Sequence, residues 1–248
     1  MLPIDVQILK YYLLEKPYYY YKSRGYYRTD QYRELNLLLQ SELQKKRFNN
    51  TKLEDVSFTI FDLETTGFIP ELGHEIISIG AIKMKGLQPC ESETFYKVIQ
   101  PLRPVSKRIL SLTGLNHSTI KEAPIFIEVF KHFLDFSKDT VLVAHPAKFD
   151  MRFLQTMIRR WKLPEFNPHV IDSQVLARWL LPDVDYQLDP LIKHFNITQL
   201  DRHHALNDAK MTSKLFENLL RLSIKNGVTT FGELRKLLQL YTNEHGNN

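Results

Sequence analysis

Ser57-Phe58-Thr59-Ile60-Phe61-Asp62-Leu63-Glu64-Thr65-Thr66-Gly67, SFTIFDLETTG, is an apolar run that ends in acid. Its first six residues are dense in β-branched and aromatic side chains, the composition of a strand. Residues i and i+2 of a strand face the same side, so Asp62 and Glu64 point together. Two carboxylates leaving one sheet face repel each other unless a cation joins them. Oxygen-rich sites of that kind suit Mg²⁺ or Mn²⁺. Thr65, Thr66 and Gly67 then turn the chain tightly and present backbone N–H groups and hydroxyls beside the acids. A bare Asp-x-Glu is as a rule a solvated strand end. The apolar lead-in FTIF and the TTG that follows set this one apart.

Working outward, Glu75 to Met84 (EIISIGAIKM) and Glu93 to Ile99 (ETFYKVI) read as further strands, and short connections make the three antiparallel neighbours. A Pro-containing loop and a helical stretch near Ser106–Leu112 follow. Ile125 to Phe136 is predicted helical, with Phe126, Val129, Phe130 and Phe133 at helical spacing. Thr140 to Ala144 (TVLVA) reads as a buried strand, Phe149 to Trp161 as a helix, and His169 to Ile171 as a short strand. Ser173–Leu180, Leu188–Phe195, Ala205–Leu222 and Thr230–Tyr241 read as helices. Three antiparallel strands followed by β-α-β-α units predict an α/β fold: a mixed five-stranded sheet, three strands antiparallel and then two parallel, covered by helices.

The first 54 residues differ in character. They hold nine of the twelve tyrosines, and ten Lys/Arg against six Asp/Glu, whereas the other 194 residues hold 23 against 22. Ile4 to Leu14 reads as a short amphipathic helix and Tyr32 to Lys46 as a longer one, with Leu35, Leu38 and Leu39 on one face. Between them KPYYYYKSRGYYRTD mixes rings with cations. Such a mixture either stacks bases and holds phosphates or packs a helical arm onto the main domain with its hydroxyls wet. A basic arm on a near-neutral body is a mild pointer to a polyanionic partner.

Composition narrows the class. The chain is 43% apolar and 25% charged with a net charge of +5, the balance of a soluble globular protein. No apolar run approaches the roughly 20 residues that span a bilayer. The start MLPIDVQILKYYLLEK lacks the basic and apolar regions of a signal peptide, so a cytoplasmic location is expected. Cys90 is the single cysteine. It excludes an intrachain disulfide and a cysteine-based zinc site, and it reads as a loop thiol.

Two more segments supply acid. His145-Pro146-Ala147-Lys148-Phe149-Asp150 follows the strand TVLVA and places Asp150 near a helix start, where a carboxylate is electrostatically at ease. Arg202-His203-His204-Ala205-Leu206-Asn207-Asp208 opens the long late helix. A capping role is the plain alternative for both aspartates. Taken in order, FDLETTG, VLVAHPAKFD and RHHALNDA resemble the three motifs of the DEDDh 3′–5′ exonucleases, the group that includes polymerase proofreading exonucleases and ribonuclease T on a ribonuclease-H-like three-layer fold. The resemblance runs from about Val56 to about Leu222, with softer matches at HEIISIGAI, the LTGL turn near Thr113 and VIDSQVLAR. It implies residues 55–225 as the exonuclease domain, a Tyr-rich basic helical extension over 1–54, and a C-terminal helix and tail over 226–248.

The resemblance makes Asp62, Glu64, Asp150 and Asp208 the four acids of a site for two divalent ions, Mg²⁺ or Mn²⁺. Such ions stabilise the attacking and leaving oxygens of an in-line phosphoryl displacement. Helical spacing favours His204 as the companion of Asp208, being i and i+4. The family pattern favours His203, five residues before the aspartate. The conflict disappears if the helix starts at about residue 204 or 205, so that His203 reaches the site from the entering loop. His203 is therefore the expected general base. Leu63, Thr65, Thr66, Phe68, His145 and Phe149 are the expected substrate contacts, with core packing the alternative for the two phenylalanines and a structural role the alternative for His145. Pro146 stands where the family usually has Asn; it brings no N–H and no side-chain amide, so an altered substrate preference is expected.

The expected function is a metal-dependent 3′–5′ exonuclease that removes nucleoside 5′-monophosphates from a free 3′ end of DNA or RNA, the strand being single. Two rivals remain: a catalytically inactive nucleic-acid-binding scaffold, and a proofreading subunit active only beside a polymerase partner, acting in trans because no polymerase domain fits in this chain. No membrane partner is expected.

Overall fold

The computed structural model describes residues 4–41 and 48–245. The part of the helix expected beyond residue 41, and the last residues of the C-terminal tail, lie outside the described residues. Strands β1 (Ser57–Thr65), β2 (Ile76–Lys85), β3 (Gln88–Val98), β4 (Val141–Ala144) and β5 (Val170–Asp172) form one sheet in the order β3-β2-β1-β4-β5. β1 pairs antiparallel with β2 and β2 with β3, while β1–β4 and β4–β5 are parallel. This is the mixed five-stranded, helix-covered sheet expected from the sequence.

Strand alternation splits the core into two layers. Phe61, Leu63, Ile79 and Ala81 face a cluster with α6 (Phe126–Phe136) and α7 (Ala147–Arg160). Phe58, Ile60, Ile82 and Met84 face the other, with α8 (Ser173–Leu180), α9 (Leu188–His194), α10 (Ala205–Lys225) and α11 (Phe231–His245). Each layer rests on period-2 strands against period-3.6 helices. No helix among the described residues is long and apolar enough to cross a membrane.

The arm is more helical than expected. α1 (Ile4–Lys10) runs through a π-helical turn, Tyr11–Glu15, into α2 (Lys16–Ser23), and α3 (Asp30–Ser41) follows. Tyr19, Leu35 and Leu39 are buried in the α6/α7 layer. Tyr19 and Tyr26 meet Trp161 edge-on, with ring centroids 6.0 and 5.7 Å away. Tyr32 donates its hydroxyl hydrogen to the carbonyls of Trp161 and Lys162, at 3.0 and 2.8 Å. Packing thus accounts for these tyrosines, while Tyr12, Tyr18, Tyr20 and Tyr21 stay exposed.

Three local readings change. β3 begins at Gln88 rather than Glu93, because β2 and β3 are joined by a turn in which Gly86 takes φ +56°; that conformation suits glycine. Cys90 therefore lies on a strand, not in a loop. A further helix, α5 (His117–Glu122), follows α4 (Lys107–Thr113). Its N-cap is Asn116, whose side-chain oxygen accepts from the Thr119 N–H at 2.8 Å.

Candidate active site

Phe58, Ile60, Asp62 and Glu64 alternate on one face of β1, so the acids continue the row that packs under α10. Asp62 stands opposite Gly80 and Glu64 opposite Ser78 on β2. Gly80 is where α10 meets the sheet: a Cβ there would lie 2.2 Å from the Ala205 carbonyl carbon and the Leu206 nitrogen. Only glycine lets the helix backbone come this close. The start of α10 is thereby pressed beside Asp62, and Asp208, in its first turn, faces β1. One carboxylate oxygen from each of Asp62, Glu64 and Asp208 lies within 4.8 Å of the others.

Asp150 arrives from the opposite layer, in the first turn of α7. It is 2% exposed and stands outside that trio. Its charge is nevertheless the strongest of those that raise Asp62. The acids therefore converge at the carboxyl end of β1 from both faces of the sheet, the usual position of a site in an open α/β sheet.

Burial and mutual repulsion set the electrostatics. The Asp62 carboxyl is held well above the usual carboxylate range, first by burial and then by the negative charges of Asp150, Asp208 and Glu64. Burial, with Asp208 adding to it, pushes Glu64 up to about 7. Burial also raises Asp150 strongly, although backbone N–H groups of Asp150 and Leu63 favour its ionised form. Asp208 is raised by burial against the opposing pull of Arg202. Arg202 is ion-paired with Asp208 and, at 2.6 Å, with Asp189 of α9. Asp150 Oδ1 and Asp208 Oδ1 are buried without a hydrogen-bond partner. A crowd of buried carboxylates held above their usual range, with orphaned oxygens among them, is short of positive charge. Oxygen-only donors at this spacing fit hard divalent cations.

α10 begins at Ala205, with His204 as its N-cap. His203 is left on the entering loop, exposed, in the left-handed conformation at φ +61°. It lies near enough to Asp208 for its N–H and its charge to favour that carboxylate's ionised form. His204 is half-buried, and its ring stacks on Tyr96 of β3, with centroids 4.4 Å apart.

The expected substrate contacts divide. Phe68 is 77% exposed, and its ring centroid lies 6.3 Å from that of Phe149, next to Asp150. Leu63 is buried in the α6/α7 layer. The Thr65 hydroxyl donates to the Gly67 carbonyl at 2.7 Å, and the Thr66 hydroxyl accepts from the Glu75 N–H at 2.9 Å. His145 is buried, with Nδ1 2.9 Å from the Ser173 hydroxyl and Nε2 2.9 Å from the Tyr186 carbonyl. Burial pushes its pKa down to about 4, so the ring is neutral with both nitrogens engaged in the fold. These contacts are those of the structural alternative. Pro146 precedes α7, and the Lys148 N–H behind it donates to Asp172 Oδ2 at 3.1 Å.

Sequence reasoning gave no role to Arg202, Tyr96 or Asp172. Arg202 was visible beside the histidines, but its two acidic partners lie on different helices. Asp172 sits in the VIDSQVLAR match; its Oδ1 caps α8 through the Gln174 and Val175 N–H groups at 3.0 and 3.2 Å, while its other oxygen serves α7. The capping half of that role was legible in Asp-Ser before a helical run.

The sheet has the ribonuclease-H-like topology, with an all-carboxylate cluster at the end of its central strand. A family profile for the RNase T exonucleases matches residues 59–216, and the chain belongs to this exonuclease family. The PolC-type DNA polymerase III of Caldanaerobacter subterraneus subsp. tengcongensis is 37% identical over 182 residues, which is 73% of this chain and 13% of that protein. The PolC-type enzyme of Thermotoga maritima is 33% identical over 183 residues, 74% of this chain and 13% of that protein. The chain thus spans about an eighth of the length of these relatives. Among solved structures, the nuclease domain of 3′hExo, a DEDDh family member bound to rAMP, aligns with a TM-score of 0.60 at 20% identity, covering 71% of this chain and 94% of that one. Exonuclease X in complex with 5′ overhanging duplex DNA aligns with a TM-score of 0.55 at 24% identity, covering 67% and 92%. These two likenesses concern the fold.

Proposed function

We propose that this chain is a metal-dependent 3′–5′ exonuclease that hydrolyses the terminal phosphodiester of a DNA strand and releases a nucleoside 5′-monophosphate. The observation that carries the reading is the meeting of Asp62, Glu64 and Asp208 within 4.8 Å, with Asp150 acting on them from the opposite layer. The polymerase relatives favour DNA over RNA.

Asp62, Glu64, Asp150 and Asp208 would hold two divalent cations, Mg²⁺ or Mn²⁺, which when bound supply Lewis-acid stabilisation of the attacking and leaving oxygens. His203, on its exposed loop beside Asp208, takes the proton from the attacking water. The new P–O bond forms as the bond to the 3′ oxygen of the shortened strand breaks, and that oxygen is reprotonated from solvent. Phe68 and Phe149 flank the entrance and stack the terminal bases, with Thr65, Thr66 and the Leu63 backbone lining the approach to the last sugar. His145 holds β4 to α8 beneath them. The exonuclease domain is taken as 55–225, between the arm of 1–54 and the C-terminal segment of 226–248.

The test uses 3′-labelled DNA and RNA oligomers, first in EDTA and then with Mn²⁺. Asp62→Ala and Asp208→Ala should abolish cation-dependent hydrolysis while leaving the fold intact. His203→Ala should cost about 10² or more in kcat, and His204→Ala far less. Binding without product at any cation concentration would leave only a scaffold. Proofreading beside a polymerase is a second reading, favoured by the polymerase relatives. It requires weak hydrolysis alone and stimulation by a stably bound polymerase.

A further inference from the structure

The 66–75 segment links β1 to β2 and forms one lip of the candidate site. Its base is zipped: the Thr66 N–H donates to the Glu75 carbonyl, and the Glu75 N–H to the Thr66 hydroxyl, both at 2.9 Å. Its tip leans on α7 through Phe68 against Phe149 and through Glu71 against Arg152, at 2.8 and 2.6 Å. Phe149 and Arg152 stand on either side of Asp150 in the chain.

The arm reaches this segment at three places, once directly and twice through an arginine. The Tyr11 ring fills the space over Gly73, where a Cβ would come 2.8 Å from it. Glu15 receives a hydrogen bond from Arg103 at 3.1 Å, and Arg103 also donates to the Leu72 carbonyl at 3.1 Å. The backbone N–H groups of Leu102 and Arg103 donate to the Glu75 carboxylate at 3.1 and 3.0 Å. Tyr19 lies 5.0 Å from the Arg160 guanidinium, which donates to the carbonyls of Pro70 and His74.

We infer that the arm is a brace for this lip, and that Glu15, acting through Arg103, is a positioning residue for the strand entering the site. Carbonyls 70, 72 and 74 are all held by cations that the arm itself contacts. Their geometry depends on the arm being docked, and Phe68, between the zipped base and the braced tip, depends on theirs. The kinetic part of this inference rests on the exonuclease reading; the structural part does not.

The test uses the full chain with Glu15→Ala, Tyr11→Ala, Glu15→Gln and, as a control, Tyr18→Ala, whose ring is exposed. Hydrogen exchange of the 66–75 amides is measured without nucleic acid. Glu15→Ala and Tyr11→Ala should speed exchange there by at least about threefold, leaving the amides of β4 and α10 unchanged, while Glu15→Gln, which keeps an acceptor for Arg103, stays near the parent. With a DNA oligomer, the same two variants should raise KM by about threefold or more with kcat within about twofold. Unchanged exchange in 66–75 would overturn the brace. Faster exchange with kcat falling and KM constant would overturn the positioning role. Absence of hydrolysis in every variant and the parent would count against the exonuclease reading alone.

Discussion

Glu75 shows how one buried side chain sets a property of the fold. It is 1% exposed, and burial pushes it from 4.5 to about 7 despite Arg160 and two backbone donors. A carboxyl whose folded pKa is raised binds its proton more tightly folded than unfolded. Its effect on stability is nil below the unfolded value, grows more unfavourable between about 4.5 and 7, and levels above. With Mn²⁺ in excess to neutralise the separate acid cluster, the melting temperature should fall across that window. The loss corresponds to roughly 3 kcal/mol at most. Glu75→Gln should flatten the slope, starting from a baseline lowered by about 1 kcal/mol because one backbone donor loses its acceptor.

At the scale of elements, the site depends on how closely α10 lies on β2. A methyl group at Gly80 meets helix backbone rather than a yielding side chain. Gly80→Ala should cost about 1–3 kcal/mol and shift Asp208 from Asp62, so that Mn²⁺ affinity measured by calorimetry drops with activity. Much of this level was legible beforehand. The alternation Phe58, Ile60, Asp62, Glu64 gave the shared face, and the order of strands and helices gave the topology. The helix start at Ala205, which separates the two histidines, was a condition that spacing alone left open. What the sequence could not show was contact between distant segments. The Gly80–Ala205 approach, the sharing of Asp172 between α7 and α8, and Arg202 between Asp189 and Asp208 leave no periodic trace.

For the whole molecule, the arm is part of the packed body. Leu35 and Leu39 are buried with α6 and α7, and Leu53 with α10 and α11. Composition marked residues 1–54 as distinct, because charge and tyrosine content are local, but it could not tell stacking on bases from edge-on packing against Trp161. Each large buried side chain removed costs about 2–5 kcal/mol. A chain lacking 1–54 should therefore melt well below the parent and bind a hydrophobic dye, which differential scanning fluorimetry would register.

The four carboxylates belong to different layers of one sandwich: two on the central sheet, one on each covering slab. Local opening of a covering layer can need less free energy than global unfolding. The carboxylate cluster thus acts as a built-in caliper for the thickness of the molecule. On slow warming, DNA hydrolysis should fade several degrees before the far-ultraviolet signal of the strands does.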